Sequence, residues 1–411
     1  MRKNVGTMLL TAMLATPIVA ASANVITDWD EKAVATVQTR MAAPPAYRIM
    51  AILHLAMFDA VNSIEPHYKP YKTSISAPAE ASKEAAAAAA AGAVLMKLVP
   101  DAAGDTKTAL ETYLAGLPDG EAKANGVKIG EEVAAKIVEA RANDGASARE
   151  AYRPRTRPGA YVPTAIVVGV QYVKVTPFTM TSPSQFRPKP PIALNSQQWA
   201  RDYNEIKELG EKNSTKRTAR ETEDARFWLL TGPLATHPLE RQIAVSKGMS
   251  VVDTARFLAL LSAAEEDAII SVMDAKYTYE FWRPFTAIRN GDIDGNPATE
   301  RQADWLPIDN TPLHPEYPCA HCIVSSSVAA TIKAVLGSDE IPEVALTSPF
   351  APGVTHRFTN LTAYTDEVAK ARILAGFHYR FSTIIGQEMG RKIGAQVAAT
   401  AMQPVQAASA R

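Results

Sequence analysis

The sequence carries no net charge and has almost no cysteine. Its 411 residues include 43 Lys and Arg against 43 Asp and Glu, and only two cysteines. A neutral chain lacks the positive field that draws proteins to nucleic acids or acidic membranes. We therefore expect small-molecule substrates and no nucleic-acid partner.

Long apolar runs are also missing beyond the N-terminus. No later stretch approaches the ~20 uninterrupted apolar residues that a spanning helix needs, so we predict no membrane span. Residues 1–23 read as a signal peptide: Arg2 and Lys3 precede an apolar core from Val5 to Val19, and Ala21–Ala23 matches the small-residue cleavage pattern. The sequence therefore predicts an exported protein, periplasmic or secreted.

Strand-like alternation is scarce, and helical periodicity dominates. Apolar residues return every three or four positions within Asp30–Glu65, and the alanine-rich run Ala79–Val99 has high helix propensity. Further helices are predicted at Asp105–Leu117, Glu121–Asn143, Ser196–Leu209, Arg217–Leu230, Pro238–Met249, Val251–Phe281, Cys322–Leu336 and Asp366–Thr400. The one strand-like patch is Ala165–Val175. We predict an all-α helical bundle.

A proline-rich segment divides the chain after the signal peptide. We predict an N-terminal helical region at 24–152, an extended connector at 153–195, a C-terminal helical region at 196–401 and a frayed tail at 402–411. A connector of this length without helix is often functional. If the alanine-rich helices are exposed, they would allow a helical homodimer.

The stretch HPEYPCAHC, His314–Cys322, holds both cysteines and two of the seven histidines. A zinc site is disfavoured because Cys319, His321 and Cys322 are crowded and no second cysteine pair completes the ligand set. A thioredoxin-like role requires a βαβ setting that the helical pattern does not provide. A local disulfide in an oxidising compartment stays open.

Three short segments carry cations or histidines. Lys276 and Arg283 lie seven residues apart, which on a helix is two turns and one face. Such a pair is either a solvated basic stripe or an anion site. His321 follows Pro318 near a predicted helix N-terminus, which favours oxyanions, and a histidine there can protonate a leaving oxygen. Alone, it is more often a structural histidine.

The third segment contains Arg372 and His378, six residues apart. A straight helix would separate their side chains by about 120°, so we predict that Gly376 breaks the helix and lets both converge. The guanidinium offers a fork of donors suited to a tetrahedral oxyanion. Taken alone, the pair also fits a charged helix face with an unrelated histidine.

In order, the segments read Lys-x6-Arg-Pro, Pro-x-x-His and Arg-x5-His. This pattern resembles the signature of the superfamily that joins vanadium-dependent haloperoxidases to type 2 phosphatidic acid phosphatases and bacterial acid phosphatases. The resemblance is strongest over Thr176–Gly394 and is closest to exported bacterial haloperoxidase-like proteins. It implies a helical bundle that binds vanadate, or phosphate in a phosphatase without a cofactor.

The resemblance also implies roles for individual residues. Lys276, Arg283 and Arg372 would bind the oxyanion, together with Cys319 and the backbone N–H of Ala320. His378 would be the axial vanadium ligand or, in a phosphatase, the nucleophile. His321 would be the acid–base group, and Lys276 would polarise the peroxide.

The sequence departs from the family pattern in two places, the turn at Cys319–Ala320 and Ser382. Cys319 and Ala320 replace the usual serine and glycine, and a thiol donates a weaker hydrogen bond than a hydroxyl. Peroxide would oxidise a free Cys319, and pairing with Cys322 would protect it. Ser382 stands where many relatives have an acid that orients the axial histidine, so we expect the imidazole to be held weakly.

These observations favour a haloperoxidase that oxidises halide with hydrogen peroxide at a bound vanadate. The alternative within the superfamily is a soluble periplasmic acid phosphatase that acts through a phosphohistidine. A third possibility is a thiol-redox or non-catalytic oxyanion-binding protein.

Overall fold

The computed structural model describes residues 24–405, so the predicted signal peptide and the last six residues lie outside the described residues. Helices dominate, which confirms the all-α prediction. They are α1 Val25–Gln38, α2 Ala43–Ile64, α3 Lys83–Leu98, α4 Ala103–Ala115, α5 Glu121–Ala140, α6 Gln197–Leu209, α7 Ala219–Phe227, α8 His237–Ser246, α9 Val251–Tyr279, α10 Pro284–Ile288, α11 Ala320–Leu336, α12 Leu361–Leu374 and α13 Arg380–Thr400. Short 3-10 helices occur at Pro100–Ala102, Val170–Lys174, Pro233–Ala235 and Gly291–Ile293.

The alanine-rich helix α3 is the interior of the N-terminal layer. Ala85–Ala91 are fully buried against α2 and α5. The glycines of α5 allow this close approach, since a Cβ at Gly130 would lie 2.2 Å from the carbonyl oxygen of Ala86. The alanine run of α3 is therefore interior rather than exposed, and the homodimer stays a prediction.

The long helix α9 connects the two layers. It packs against α2 on one side and against α11 and α13 on the other. Helices α11 and α13 approach closely because α13 presents glycines to its neighbour; a Cβ at Gly390 would lie 2.3 Å from the carbonyl oxygen of Ile323. The C-terminal end of α9 and the N-terminal ends of α11 and α13 meet near one place in the fold.

Most predicted helix bounds differ by a few residues from the observed ones, and three differences change how the chain is divided. The pattern in Asp30–Glu65 belongs to two helices, because α1 ends at Gln38 and the prolines after Ala43 begin α2. Helix α9 ends at Tyr279, two residues before the predicted end. The predicted helix Asp366–Thr400 is interrupted at residues 375–379, between α12 and α13.

The strand predictions were wrong in both directions. The patch Ala165–Val175 forms no strand and instead contains the 3-10 helix Val170–Lys174. An antiparallel hairpin was missed, formed by β1 Glu340–Thr347 and β2 Thr355–Asn360. Pro342 argues against a strand in the sequence, and the structure accommodates it within an irregular part of the β1 register.

The chain ends and the long connector complete the fold. Met402 is buried and Pro404 pairs with Tyr68, whereas Val405 is exposed; the rest of the tail predicted at 402–411 lies outside the described residues. Between α5 and α6 the backbone is mostly irregular. None of the helices within residues 24–405 combines the length and hydropathy required to cross a membrane.

Candidate active site

The structure brings the three predicted segments together in one buried region. Lys276 is 0% exposed, Arg283 1%, Arg372 2% and His378 1%. Lys276 lies near the end of α9, Arg283 precedes α10, Arg372 lies on α12, and His378 lies in the loop before α13. Gly376 has a φ of +79°, which ends α12 and turns the chain between Arg372 and His378.

Arg283 reaches this region by a different path from the one predicted. Glu280 adopts a left-handed φ of 51° and ends α9, so Arg283 does not share a helix face with Lys276. It is instead the N-cap residue of α10. Its Nε donates to the carbonyl oxygen of His314 at 3.0 Å and its Nη1 to that of Phe377 at 3.0 Å. The guanidinium therefore joins the turn before α11 to the loop before α13.

The ammonium group of Lys276 is bound by backbone carbonyls. Its Nζ donates to the oxygens of Pro315 at 2.9 Å, Glu316 at 2.7 Å and Pro318 at 2.5 Å. Burial and then Arg283 lower its pKa well below the ordinary value. Three carbonyls use all three donors of an ammonium group. In this arrangement Lys276 holds the turn before α11, and an oxyanion contact would require exchange of one carbonyl.

The imidazole of His378 is held in one tautomer by Glu316. Nδ1 of His378 lies 2.8 Å from Glu316 Oε1, which also accepts the backbone N–H of Tyr379 at 3.2 Å. Since Oε1 is an acceptor, Nδ1 carries the proton and Nε2 has the lone pair, 3.3 Å from Arg283 Nη1. Burial and then Arg283 hold the pKa of His378 well below its usual range. The imidazole is therefore neutral.

Glu316 was not predicted as a site residue, and it corrects the expectation for Ser382. Burial raises the pKa of Glu316 to about 7, although Lys276 and Arg283 act in the opposite direction. Ser382 lies close enough to lower that pKa, but neither its Oγ nor Glu316 Oε2 has a hydrogen bond of ordinary geometry. The carboxylate that orients His378 comes from the HPEYPCAHC turn. Its partner lies 62 residues away, and no local spacing indicates it.

The HPEYPCAHC turn leads directly into the N-terminus of α11. Cys319 is the N-cap residue; its Sγ accepts the N–H of Cys322 at 3.2 Å, and the two cysteines form a disulfide. The N–H groups of Ala320 and His321 have no intrahelical acceptor and lie at the positive end of the helix. This end of α11 suits an oxyanion.

His321 lies in the first turn of α11. Its Nε2 lies 3.0 Å from the carbonyl oxygen of Leu230, so Nε2 carries the proton and Nδ1 has the lone pair. Burial and then Arg372 lower the pKa of His321 well below its ordinary value. The residue is therefore a neutral imidazole with one nitrogen available to accept a proton.

A cavity of ≈ 350 Å³ leads to His321, Arg372 and His378. Its wall is mostly apolar, with Val168, Trp228, Ile269, Met273, Val324 and Phe377 among the lining residues. Arg372 donates from Nη1 to the carbonyl oxygen of Trp228, while its buried Nε has no partner. Burial and then Arg283 lower the pKa of Arg372 to about 9. An unpartnered guanidinium donor therefore stands beside the cavity.

The donor set fits a tetrahedral oxyanion. Three buried cations, Lys276, Arg283 and Arg372, have Glu316 as the acid against them. Buried positive charge without a matching anion is costly. An oxyanion would supply the missing charge, accept from Arg372 Nε, and meet the lone pair of His378. The residues present are thus suited to vanadate or phosphate.

Comparisons of sequence and of structure find similarity to vanadium haloperoxidases. Residues 256–407 match the family described as the VCPO second helical-bundle domain. The chain is 29% identical over 147 residues to vanadium chloroperoxidase of Curvularia inaequalis, a match that covers 29% of this chain and 24% of that protein. The aligned segment thus spans about a quarter of that relative's length.

Solved structures extend the likeness to nearly the whole chain. A bacterial vanadium-dependent iodoperoxidase superposes with a TM-score of 0.81 at 22% identity, covering 93% of this chain and 97% of that one. A holo-type bacterial vanadium-dependent chloroperoxidase gives a TM-score of 0.74 at 18% identity, covering 93% and 98%.

The protein has the fold of the bacterial vanadium haloperoxidases. Residues 256–407 match the VCPO second helical-bundle domain, which supports the resemblance to the haloperoxidase superfamily predicted from the three motifs.

Proposed function

We propose that this protein is a vanadium-dependent haloperoxidase that oxidises halide with hydrogen peroxide. The proposal rests on His378, a neutral imidazole whose Nε2 lone pair lies beside Arg283 and whose side chain lines an apolar cavity. The names of its relatives support the same activity. Bound vanadate would supply the Lewis acid that activates peroxide toward halide.

The chain's own residues would hold the oxyanion and fix its ligand. His378 would bind vanadium through Nε2, while Glu316 keeps the proton on Nδ1 and orients the ring. Arg372 would donate from its unpartnered Nε, and Arg283 from the guanidinium that now contacts His378. The N–H groups at the start of α11 would add backbone donors.

His321 would move the proton. Its Nε2–H is fixed on Leu230, so Nδ1 is the atom that takes up and releases the proton. Arg372 contributes to the low pKa of this imidazole, and a bound oxyanion would raise that pKa by offsetting the guanidinium charge. The group would therefore become an effective acid–base catalyst only when the site is loaded.

A vanadate titration with parallel assays tests the proposal. Binding is measured by calorimetry, and oxidation of iodide and bromide by hydrogen peroxide is measured on the same samples. Activity is expected to rise in proportion to vanadate occupancy and to vanish in His378→Ala. The control is His67→Ala, which changes an exposed histidine far from the site in sequence. Absence of halide oxidation at full vanadate occupancy would overturn the proposal.

The second candidate is a soluble acid phosphatase. The neutral, oriented His378 is also suited to attack phosphorus, and His321 to protonate the leaving alcohol. Steady hydrolysis of an aryl phosphate, abolished by His378→Ala and inhibited by vanadate, would decide for this activity.

A thiol-redox function has less support. Both cysteines are 0% exposed, which denies a partner thiol access to either sulfur. Cys319→Ser tests this alternative. We expect oxyanion affinity to be retained, because serine is a good N-cap residue; loss of all activity with an intact fold would favour the redox function.

We also propose that the protein is exported to the periplasm or secreted, on the pattern in residues 1–23. The intact mass of the protein recovered from an exporting host tests this, with cleavage after Ala23 expected.

A further inference from the structure

A second cluster of ionisable side chains lies deep in the N-terminal half of the fold. Asp30 of α1, His54 of α2, His237 and Glu240 of α8, and Glu265 of α9 converge there, and all five are 0% exposed. None of these residues belongs to the candidate active site. Two imidazoles and three carboxyl groups in one buried place are rare unless they are paired or bind a metal.

The cluster forms two groups of close ligand atoms that share His237: Asp30, His54 and His237 in one, and His237, Glu240 and Glu265 in the other, each within 4.8 Å of one another. Asp30 Oδ1 lies 2.8 Å from His54 Nε2 and 2.5 Å from His237 Nδ1. Glu240 Oε2 lies 3.8 Å from the same His237 Nδ1. On its other side, His237 Nε2 lies 3.0 Å from Glu265 Oε2. The ring of His237 thus lies between Asp30 and Glu240 on its Nδ1 side and Glu265 on its Nε2 side.

Glu240 has no hydrogen-bond partner within the described residues. Both carboxylate oxygens of Glu240 are buried without a hydrogen bond, and so is Nδ1 of His54. Buried polar groups in native proteins are almost always satisfied, so each exception requires an explanation. A fully buried carboxyl group that lies 3.8 Å from an imidazole nitrogen and accepts no hydrogen bond is what a site for a cation presents.

We propose that this cluster binds one structural divalent transition-metal ion, with zinc as the probe. The ligands are Asp30, His54 Nε2, His237 Nδ1 and Glu240. Glu265 would accept the remaining N–H of His237 and so orient the ligand ring, as carboxylates commonly do behind metal-bound histidines.

The ligand types select the kind of ion. Imidazole nitrogens together with carboxylate oxygens suit zinc, manganese or iron, whereas magnesium and calcium prefer oxygen alone. Four protein ligands would close a tetrahedral site, which is typical of structural rather than catalytic zinc.

Distance and charge are both compatible with such an ion. Neighbouring ligand atoms around zinc lie about 3.4 Å apart, the edge of a tetrahedron with bonds of about 2.1 Å. The contacts from His237 Nδ1 are 2.5 Å to Asp30 and 3.8 Å to Glu240, so shifts of about 1 Å or less give these two pairs that spacing; the Glu240 carboxylate would in addition turn toward Asp30 and His54, with which it forms no close group in the structure. The two negative charges of Asp30 and Glu240 would balance the charge of the ion. The positive charge of Arg241, which donates to Asp30 Oδ2, would offset the negative charge of Glu265 in the cluster as a whole.

An ion at this place would join α1, α2, α8 and α9. Since every ligand is fully buried, the ion enters during folding, and metal binding is then linked to the stability of the N-terminal layer.

Refolding with and without metal tests the proposal. The full chain is unfolded in denaturant with a chelator and refolded with zinc, with magnesium, or with the chelator alone. Bound metal is measured by mass spectrometry after gel filtration, and the Tm by calorimetry. We expect about one zinc per chain that survives a chelator wash, no retained magnesium, and a Tm several degrees higher with zinc. A zinc-refolded protein without retained zinc would overturn the proposal.

A matched pair of variants separates the metal site from a hydrogen-bonded network. Glu240→Gln removes the unpartnered carboxylate at nearly constant size, and we expect it to lose the zinc and the Tm gain. Glu266→Gln is the control: this residue is also fully buried with both oxygens unpartnered, but lies outside the cluster. We expect it to retain about one zinc. Equal zinc content in both variants would contradict the assigned ligands.

The outcome is independent of the proposed haloperoxidase function. Vanadate affinity, measured on the same folded samples, is expected to be unchanged in Glu240→Gln. Wild-type protein that retains zinc but binds no vanadate would indicate failure of the active-site assignment instead.

Discussion

At the scale of single residues, the contact between Glu316 and His378 determines which nitrogen of the imidazole faces the site. Glu316→Gln keeps an oxygen that can accept the Nδ1–H but removes the charge that stabilises this tautomer. We expect vanadate affinity and halide oxidation to fall about 10-fold, the lower end of the range for outer-shell partners of metal ligands. Calorimetric titration and initial rates measure the two effects.

Glu388→Gln is the matched control for this variant. Glu388 is an exposed residue of α13, so the same chemical change there should leave both quantities unaltered. Equal behaviour of the two variants would show that Glu316 does not orient the axial ligand.

The pKa of Glu316 predicts a second property of the same variant. The folded protein holds this proton up to a pKa of about 7, whereas the ordinary value is 4.5. Between these values the folded state binds more protons than the unfolded state, so this group's contribution to stability falls as pH rises. The difference corresponds to about 3 kcal/mol.

The stability difference between wild type and Glu316→Gln isolates this effect. His314, His321 and His378 have lowered pKa values and act oppositely below about pH 6.5, where the unfolded chain takes up protons first. The contributions of His314 and His321, which do not bond to Glu316, cancel in the difference, and any change at His378 is confined to pH values below about 6.5. Urea unfolding at pH 4.5 and 8 should show the relative stability of the wild type declining by about 3 kcal/mol. A difference that is constant or grows with pH would contradict the pKa.

The proximity of residues within one short motif could be predicted from the sequence. The proximity of residues that only the fold brings together could not. Arg372, His378 and Gly376 lie within seven positions, so local geometry relates them. Glu316 lies 62 residues from its partner His378. Its role could not be predicted from the HPEYPCAHC stretch, because a carboxylate close to prolines is typical of an ordinary turn.

At the scale of elements, helix ends determine which side chains meet. The seven-residue spacing of Lys276 and Arg283 predicted one helical face, yet α9 ends between them at Tyr279. Glu280 adopts a left-handed conformation there, which non-glycine residues seldom do, so composition gave no signal for the end. The two cations still meet because the chain turns back toward the HPEYPCAHC turn. The sequence analysis predicted that the two cations come together, but not the course of the chain between them.

The turn at Gly376 is the element whose alteration most directly separates Arg372 from His378. Gly376 has a φ of +79°, and a Cβ there would lie 2.5 Å from the carbonyl oxygen of Gly210. Gly376→Ala adds a left-handed penalty of about 1–2 kcal/mol and a clash of about 1–3 kcal/mol with rigid backbone. We expect the unfolding free energy to fall by about 2–5 kcal/mol, measured in urea, with weaker vanadate binding.

Gly337→Ala separates backbone strain from the clash. Gly337 ends α11 with a φ of +71°, but a Cβ there meets nothing within 4 Å. We expect a loss of about 1–2 kcal/mol and unchanged vanadate affinity. Equal losses in the two variants would show that the tight approach of Gly376 to Gly210 is unimportant.

At the scale of the whole molecule, one long helix belongs to two different environments. The middle of α9 carries Glu265 in the proposed metal cluster, and its C-terminal end carries Lys276 beside the candidate active site. The matched family domain, residues 256–407, begins within α9 and includes both Glu265 and the active-site segments. The N-terminal layer is built on alanine and glycine packing, which many sequences can satisfy, so there the likeness is one of fold.

The buried cations of the active site predict how the entire fold responds to an oxyanion. Burial lowers the pKa of Arg283 to about 10 and that of Arg372 to about 9, which means that keeping both charged without an anion reduces stability. Vanadate or phosphate that binds only the folded state stabilises it by about 2.7 kcal/mol at 100 times its Kd. For a chain of this size that corresponds to a Tm increase of about 3 °C.

Arg372→Gln should change both the stability of the protein without an oxyanion and the stabilisation that an oxyanion provides. Removal of a buried charge is expected to raise the Tm in plain buffer, while the loss of a donor should abolish most of the increase caused by vanadate or phosphate. Calorimetry with chloride at matched ionic strength controls for screening. If the variant gained as much stability from vanadate as the wild type, Arg372 would not contact the oxyanion. If neither protein responded, the charges of the buried cations would be balanced within the fold, and the cavity would not be an oxyanion site.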